Sequence, residues 1–298
     1  MDPDTVYNLL MAFITLSVFL VYASALYVLR SRRVDFGGTF FTLFVSLGIA
    51  DLLMLGKNIL LHNLAILSWK YWPASRSFVT SMVYATMVNI ANWSFYWAQV
   101  VGLILLSLNR VTSLWTLDED ENTWKPKTLS RALFLQWFFV PLFGVPMLFP
   151  CCRSVVLDNS TLYTDFEKYE TAIVLYGISA TVEPLIFAPM LIIFHILMVK
   201  KILEHQADVM PIGNQGTMRM RTEIKFALLG AVLCSLYLTL VVNWALIFQH
   251  GDFISHSQKT LVLFVEFLFS SANPFLLFAF SGKFRTIYLE AMFGLKPH

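Results

Sequence analysis

Four ionisable side chains stand inside long apolar stretches of this chain: Asp51, Lys57, Glu183 and Glu266. A charge in hydrocarbon costs free energy unless it is paired or wetted, so each reads first as a working residue. Polar side chains recur at helical spacing around them. Asn92, Tyr96 and Gln99 follow i, i+4, i+7 in one stretch, and Glu266, Ser270 and Asn273 do so in another. Each set therefore lies on one helical face. Such faces suit ion pairing, hydrogen bonding and capture of a small molecule. Bond-making chemistry finds no footing: there is no HExxH, no GxSxG and no phosphate-cradling glycine loop, and the histidines do not cluster. No enzyme and no resident cofactor are expected. Cys151 and Cys152 are adjacent, with no third partner on their side of the chain, so no loop-closing disulfide is expected either.

The elements that must position these groups follow from composition. The chain has 298 residues, 57% hydrophobic and 13% charged, with a mean hydropathy of +0.67. A soluble domain carries about 25% charged residues, so this is an integral membrane protein. A net charge of +2 argues against a nucleic-acid partner. The N-terminal MDPDTVYN lacks a basic n-region, and the apolar run behind it is too long for a signal sequence, which predicts a retained first span. A crossing helix needs about 20 apolar residues. Seven stretches qualify, at about 6–29, 38–60, 82–108, 132–150, 172–199, 226–249 and 260–281. The prediction is an all-α membrane protein, a single seven-helix transmembrane domain over 1–298.

Lysine and arginine orient it. One set of connectors holds Arg30, Arg32, Arg33, Arg110, Lys125, Lys127, Arg131, Lys200, Lys201, Arg219, Arg221 and Lys225, and the tail adds Lys283, Arg285 and Lys296. The other set is sparse. The rich set belongs in the cytoplasm, which puts the N-terminus outside. Asn159-Ser160-Thr161 is a glycosylation sequon in a loop placed outside by the same rule. Beyond the last span, Phe284, Ile287, Tyr288 and Met292 share a helical face, which predicts an interfacial helix at about 283–293. The 200–225 connector, with Pro211, Gly213 and Gly216, reads as a mobile loop.

Depth separates the ionisable groups. Asp51 lies roughly 20 Å from the inner end of its span, too deep to snorkel. Lys57 is six residues further out, where its ammonium either reaches the outer interface or meets a partner. Asn273-Pro274 interrupts the last span with a kink. Asn243 sits about 9 Å from the outer end of span six, suited to a cross-helix hydrogen bond or to a ligand.

These residues resemble a family. Leu47-Gly48-Ile49-Ala50-Asp51-Leu52-Leu53 is similar to the span-two motif of rhodopsin-like G-protein-coupled receptors. Leu108-Asn109-Arg110 stands where that family has Asp/Glu-Arg-Tyr, and Asn273-Pro274 with Phe284-Arg285 resembles its NPxxY segment and following helix. Trp137 in span four also fits. The phrases FFTLFVSLGIAD and SLNRVTSLW, with the later Trp124, look most like the nematode serpentine chemoreceptors of the gamma and V classes. The resemblance implies a polar core switch of Asp51, Asn273, Pro274 and Gln99, suited to a sodium ion. It also implies coupling to a heterotrimeric G protein at Asn109 and Arg110. The chain departs from the pattern at four places. Asn109 replaces the acid that restrains the arginine, and Leu277 replaces the NPxxY tyrosine. Cys234-Ser235-Leu236-Tyr237 lacks the span-six proline, and no cysteine begins span three.

By the same resemblance Asp51 and Asn273 share a level. Lys57 and Glu266 then lie about 9 and 10 Å outward of them on neighbouring spans, which predicts an ion pair at the floor of an outer pocket. The expected function is a plasma-membrane chemosensory receptor. A small-molecule ligand would touch Asn89, Asn92, Tyr96, Asn243, Glu266 and Lys57, and the partners would be that ligand, a G protein and the lipid bilayer. Two rivals from other classes are a seven-helix ligand-gated channel of the odorant-receptor type and a small-molecule transporter. The charge orientation opposes the first, and the lack of a visible internal repeat opposes the second.

Overall fold

The computed structural model describes residues 3–32, 34–36, 38–79, 81–115, 124–144, 153–157, 161–165, 182–209, 214–250 and 256–294. Span one is α1, Pro3–Ser31. Span two is α2, Thr39–Asn58, which widens into a π-helical turn, Ile59–Asn63, and continues as α3, Leu64–Tyr71. A short α4, Arg76–Val79, leads to α5, Met82–Trp115, which is span three. Span four is α6, Pro126–Gly144. The described part of span five is a π-helical turn, Glu183–Phe187, followed by α7, Ala188–Val209. Span six is α8, Asn214–His250, and span seven is α9, His256–Phe280. The C-terminal helix α10 covers Gly282–Phe293.

Among the described residues six helices are long and apolar enough to cross a membrane. Their outward faces are apolar too: Phe13, Tyr27 and Leu185 are each 70% exposed. Exposed apolar surface on that scale fits a lipid solvent. Spans two, three and six run past the bounds expected from hydropathy, because a helix keeps its backbone bonded when its sequence turns polar. The expected loop at 200–225 is mostly helix, with α7 reaching Val209 and α8 starting at Asn214. A purely helical reading also misses one element. β1, Arg153–Leu157, pairs antiparallel with β2, Thr161–Asp165. The β-branched run Val155-Val156 and the Thr161/Thr164 positions suit that pairing. Asn159, Cys151 and Cys152 lie outside the described residues.

Two apolar clusters fill the bundle. The inner one joins spans one, two and seven to α10 through Tyr22, Phe40, Phe44, Leu47, Leu277 and Phe284. The other gathers spans three, five, six and seven around Tyr96, Leu191, Tyr237 and Phe269. The helix α10 is capped by the Ser281 hydroxyl, which accepts from the Phe284 N–H at 3.2 Å. It stops at Gly294, whose φ of 65° favours glycine. Phe284 is buried, the Tyr288 and Ser24 hydroxyls meet at 2.7 Å, and the Lys283 ammonium donates to the Asp35 carbonyl.

Spans two, three and four are drawn together by buried polar groups. Ser46 donates to Gln136 Oε1 at 2.7 Å, and Gln136 Nε2 donates to the Ala98 carbonyl at 3.1 Å. The Trp137 indole donates to Ser46 at 2.9 Å. Gly102 makes this approach possible, since a Cβ there would meet Gln136 Nε2 at 2.6 Å and Leu47 Cδ1 at 3.0 Å. Gln136 cannot retreat without breaking its own bonds. Gly102→Ala should therefore lower stability by about 1–3 kcal/mol, read as a drop in melting temperature of the purified protein. An unchanged melting temperature would show that the three spans are not packed this closely.

Candidate functional site

Polar side chains meet at three depths inside the bundle. At the outer level, Lys57 Nζ donates to Glu266 Oε1 at 2.9 Å and to Asn92 Oδ1 at 2.7 Å. Spans two, seven and three are thereby tied at one point. The side chains of Lys57 and Glu266 are only 7% and 6% exposed, so the ammonium does not snorkel to the interface. The pair expected from depth arithmetic is formed. Asn89 is buried one turn further out on α5. Tyr96 is buried one turn further in, with its ring 6.2 Å from that of Trp97. Asn243 is not brought to this group by its hydrogen bond: its amide donates at 2.7 Å to the Thr239 carbonyl one turn back on its own helix. The Glu183 side chain lies outside the described residues.

The π-helical turn begins two residues beyond Lys57, and its Leu64 N–H reaches back to the Ile59 carbonyl. One inserted residue rotates everything after it relative to a regular helix. Tyr84 of α5 donates its hydroxyl to the Leu61 carbonyl inside the turn. Nothing in the run Ile59-Leu60-Leu61-His62-Asn63 marks the turn beforehand.

At the middle level Asp51 is 1% exposed. Its Oδ1 accepts from Gln99 Nε2 at 2.7 Å, and its Oδ2 accepts from the Tyr22 hydroxyl and from Asn273 Nδ2. Gln99 Nε2 also donates to Ser270 Oγ at 2.9 Å. Spans one, two, three and seven thus share one carboxylate. Gln99 Oε1 and Asn273 Oδ1 are buried without a hydrogen-bond partner among the described residues. Pro274 follows inside α9, buried. Tyr22 is the member that motif reading misses. The available signal is a mid-span tyrosine whose hydroxyl needs a partner, though Tyr7 and Tyr27 stand in the same helix.

A sodium ion at this level would need carboxylate and carbonyl oxygens turned to a common point. The amides present do the opposite. A carboxylate only accepts, so Gln99 and Asn273 turn N–H groups to it, and in a planar amide the oxygen then faces away. As arranged, these residues do not fit the ion.

At the inner level Asn109 is 1% exposed and donates from Nδ2 to Thr39 Oγ1 of span two at 3.0 Å. The Arg110 guanidinium carbon lies 3.5 Å from the ring centre of Phe40 on span two and 4.4 Å from that of Phe226 on span six. The two rings are themselves 4.8 Å apart. The Trp124 indole donates to Thr112 Oγ1 at 2.8 Å, holding the next turn of α5.

Residues 8–293 match the family described as serpentine type 7TM GPCR chemoreceptor Srv. The backbone is similar to the crystal structure of squid rhodopsin, with a TM-score of 0.76 at 15% sequence identity, over 98% of this chain and 82% of that one. Identity that low carries the fold alone. No curated protein matches the chain.

The outer ion pair makes a measurable statement. Removing one partner of a buried pair leaves an uncompensated charge, at about 3–5 kcal/mol. Lys57→Met and Glu266→Gln should each lower the melting temperature. The reversed pair Lys57→Glu with Glu266→Lys should recover much of the loss, because the Asn92 amide can turn its N–H to a carboxylate. A reversed pair whose loss equals the sum of the Lys57→Glu and Glu266→Lys losses measured singly would show that the two groups are not coupled.

Proposed function

Because this chain belongs to the Srv family of serpentine seven-transmembrane chemoreceptors, a non-enzymatic class of multi-pass plasma-membrane proteins, we propose that it binds an extracellular small molecule and activates a cytoplasmic heterotrimeric G protein. The ligand enters between the outer halves of the spans and touches Asn89, Asn92, Tyr96, Asn243, Glu266 and Lys57. The Lys57–Glu266–Asn92 group forms the floor of that site. The observation that carries the reading is that one helix, α5, bears a contact residue at each depth: Asn92 outside, Gln99 in the middle and Arg110 inside. A change at the outer floor has a continuous rigid element through which to reach the cytoplasmic mouth.

Asp51, Gln99, Asn273 and Pro274 serve as the polar switch in the middle. The proline leaves span seven short of one backbone bond there, which is where a helix rearranges at least cost. Arg110, with Asn109, engages the G protein when span six swings away. At rest Arg110 lies against Phe226 of that span, so the contact must part on opening. A cation–π contact contributes about 0.5–2 kcal/mol, enough to shift a closed-to-open ratio by about two- to thirtyfold. Ligand acts by favouring the open state differentially.

Two variants test this. Arg110→Ala should abolish ligand-evoked nucleotide exchange on the G protein while surface expression and ligand binding persist; untouched signalling would remove Arg110 from the coupling role. Phe226→Ala should raise ligand-free exchange by a factor within the two- to thirtyfold range above. Basal exchange equal to that of the unsubstituted receptor would mean that the ring does not restrain the arginine.

A further inference from the structure

We propose that the Gln99 amide takes the place of a cation in the polar core, so that the core of this receptor is sodium-independent by construction. The buried carboxylate of Asp51 must be compensated by something. Among the described residues its three hydrogen-bond partners, the Tyr22 hydroxyl and the Gln99 and Asn273 amides, are neutral donors. The Lys57 ammonium lies about 9 Å outward along span two and is held by Glu266 and Asn92. Asp51 is therefore satisfied by the positive ends of N–H and O–H dipoles. A cation at the same oxygens would face those like-signed ends and would have to displace them.

Gln99 decides this by its length and its chemistry. Its side chain reaches across from span three to bond both Asp51 on span two and Ser270 on span seven. That bridge fills the gap between three helices, and Gln99 is 0% exposed. The neighbouring Ala50 and Ala98 are also fully buried, which brings spans two and three close at this depth. A serine at position 99 would be too short to bridge. It would open space between Asp51 and Ser270 and put a hydroxyl oxygen on the wall of that space. The carboxylate, two serine hydroxyls and the Asn273 carbonyl oxygen, which has no hydrogen-bond partner among the described residues, would then be free to turn toward one ion.

The test is a melting experiment on the purified full-length receptor in sodium chloride and in potassium chloride at equal ionic strength. It reads no signalling, so its failure is distinct from a failure of the receptor reading. The unsubstituted protein should melt at the same temperature in both salts. Gln99→Ser should melt lower in potassium and regain about 2–4 °C in sodium, the shift given by an ion at about ten times its dissociation constant in a protein of this size. Sodium stabilisation of the unsubstituted protein would overturn the proposal. So would a folded Gln99→Ser variant blind to sodium, since Gln99 would then not be what excludes the ion. Where that variant does not fold, sodium-23 NMR line width on the unsubstituted receptor decides. Broadening equal to that of an Asp51→Asn control supports the proposal, and broadening lost in the control overturns it.

Discussion

A carboxylate with no water must be given donors, and Asp51 takes them from three other helices. Hydrophobic packing alone does little to choose neighbours in a membrane, because lipid tails are as apolar as leucine. Leu43, Leu47 and Leu55 are buried in the bundle, yet each would be nearly as well solvated facing lipid. Asp51 would not. Its bonds to Tyr22, Gln99 and Asn273 set spans one, three and seven around span two at one depth. The Ser46, Gln136 and Trp137 bonds then attach span four to another face of span two, about 140° round the helix from Asp51. Spans five and six come next, gathered by the apolar cluster around Leu191 and Tyr237.

Charge compensation is local at each depth. Asp51 is met by neutral donors, and Lys57 by a carboxylate and an amide oxygen in direct contact. Each charge has its hydrogen-bond partners within its own level, so one level can rearrange without leaving the other's charge without contacts. What connects them is mechanical. Asn92 and Gln99 are about 10 Å apart along α5, and Arg110 about 16 Å further on, on one unbroken helix. The π-helical turn lies in span two just outside Lys57, where one inserted residue alters the direction in which the outer end projects.

Much of this was legible in the sequence, and the reason is the cost of polarity in lipid. Asp51, Lys57 and Glu266 are conspicuous because each is expensive, and the i, i+4, i+7 runs fixed which faces they share. Depth arithmetic, with the shared level and the adjacency of spans two and seven supplied by the family resemblance, then paired Lys57 with Glu266. What the sequence hides has a common cause. Asn243 is as polar as Asn92, but an amide on a helix can satisfy itself on its own backbone, as the Thr239 carbonyl shows. Sequence does not reveal that choice. Phe40 and Phe226 are two of 27 phenylalanines, and only the folded chain shows which rings lie beside a cation. Tyr22 was detectable in principle, whereas the hairpin at Arg153–Leu157 and Thr161–Asp165 is too short to stand out from a loop.

The inner end of α5 shows how a departure from a family pattern is absorbed. An acid at position 109 would hold Arg110 from the adjacent residue of the same helix, a restraint internal to span three. Asn109 instead donates to Thr39, which fastens span three to span two. The guanidinium lies against the adjacent rings of Phe40 of span two and Phe226 of span six. The restraint is thus divided between two helices. On the proposed mechanism, withdrawal of span six removes the Phe226 contact, the longer of the two ring contacts. Phe40 and the Asn109–Thr39 bond stay in place, so Arg110 is not released into water but left anchored on span two with one face uncovered. An arginine held that way keeps its position while gaining access, which is what a docking partner needs of it.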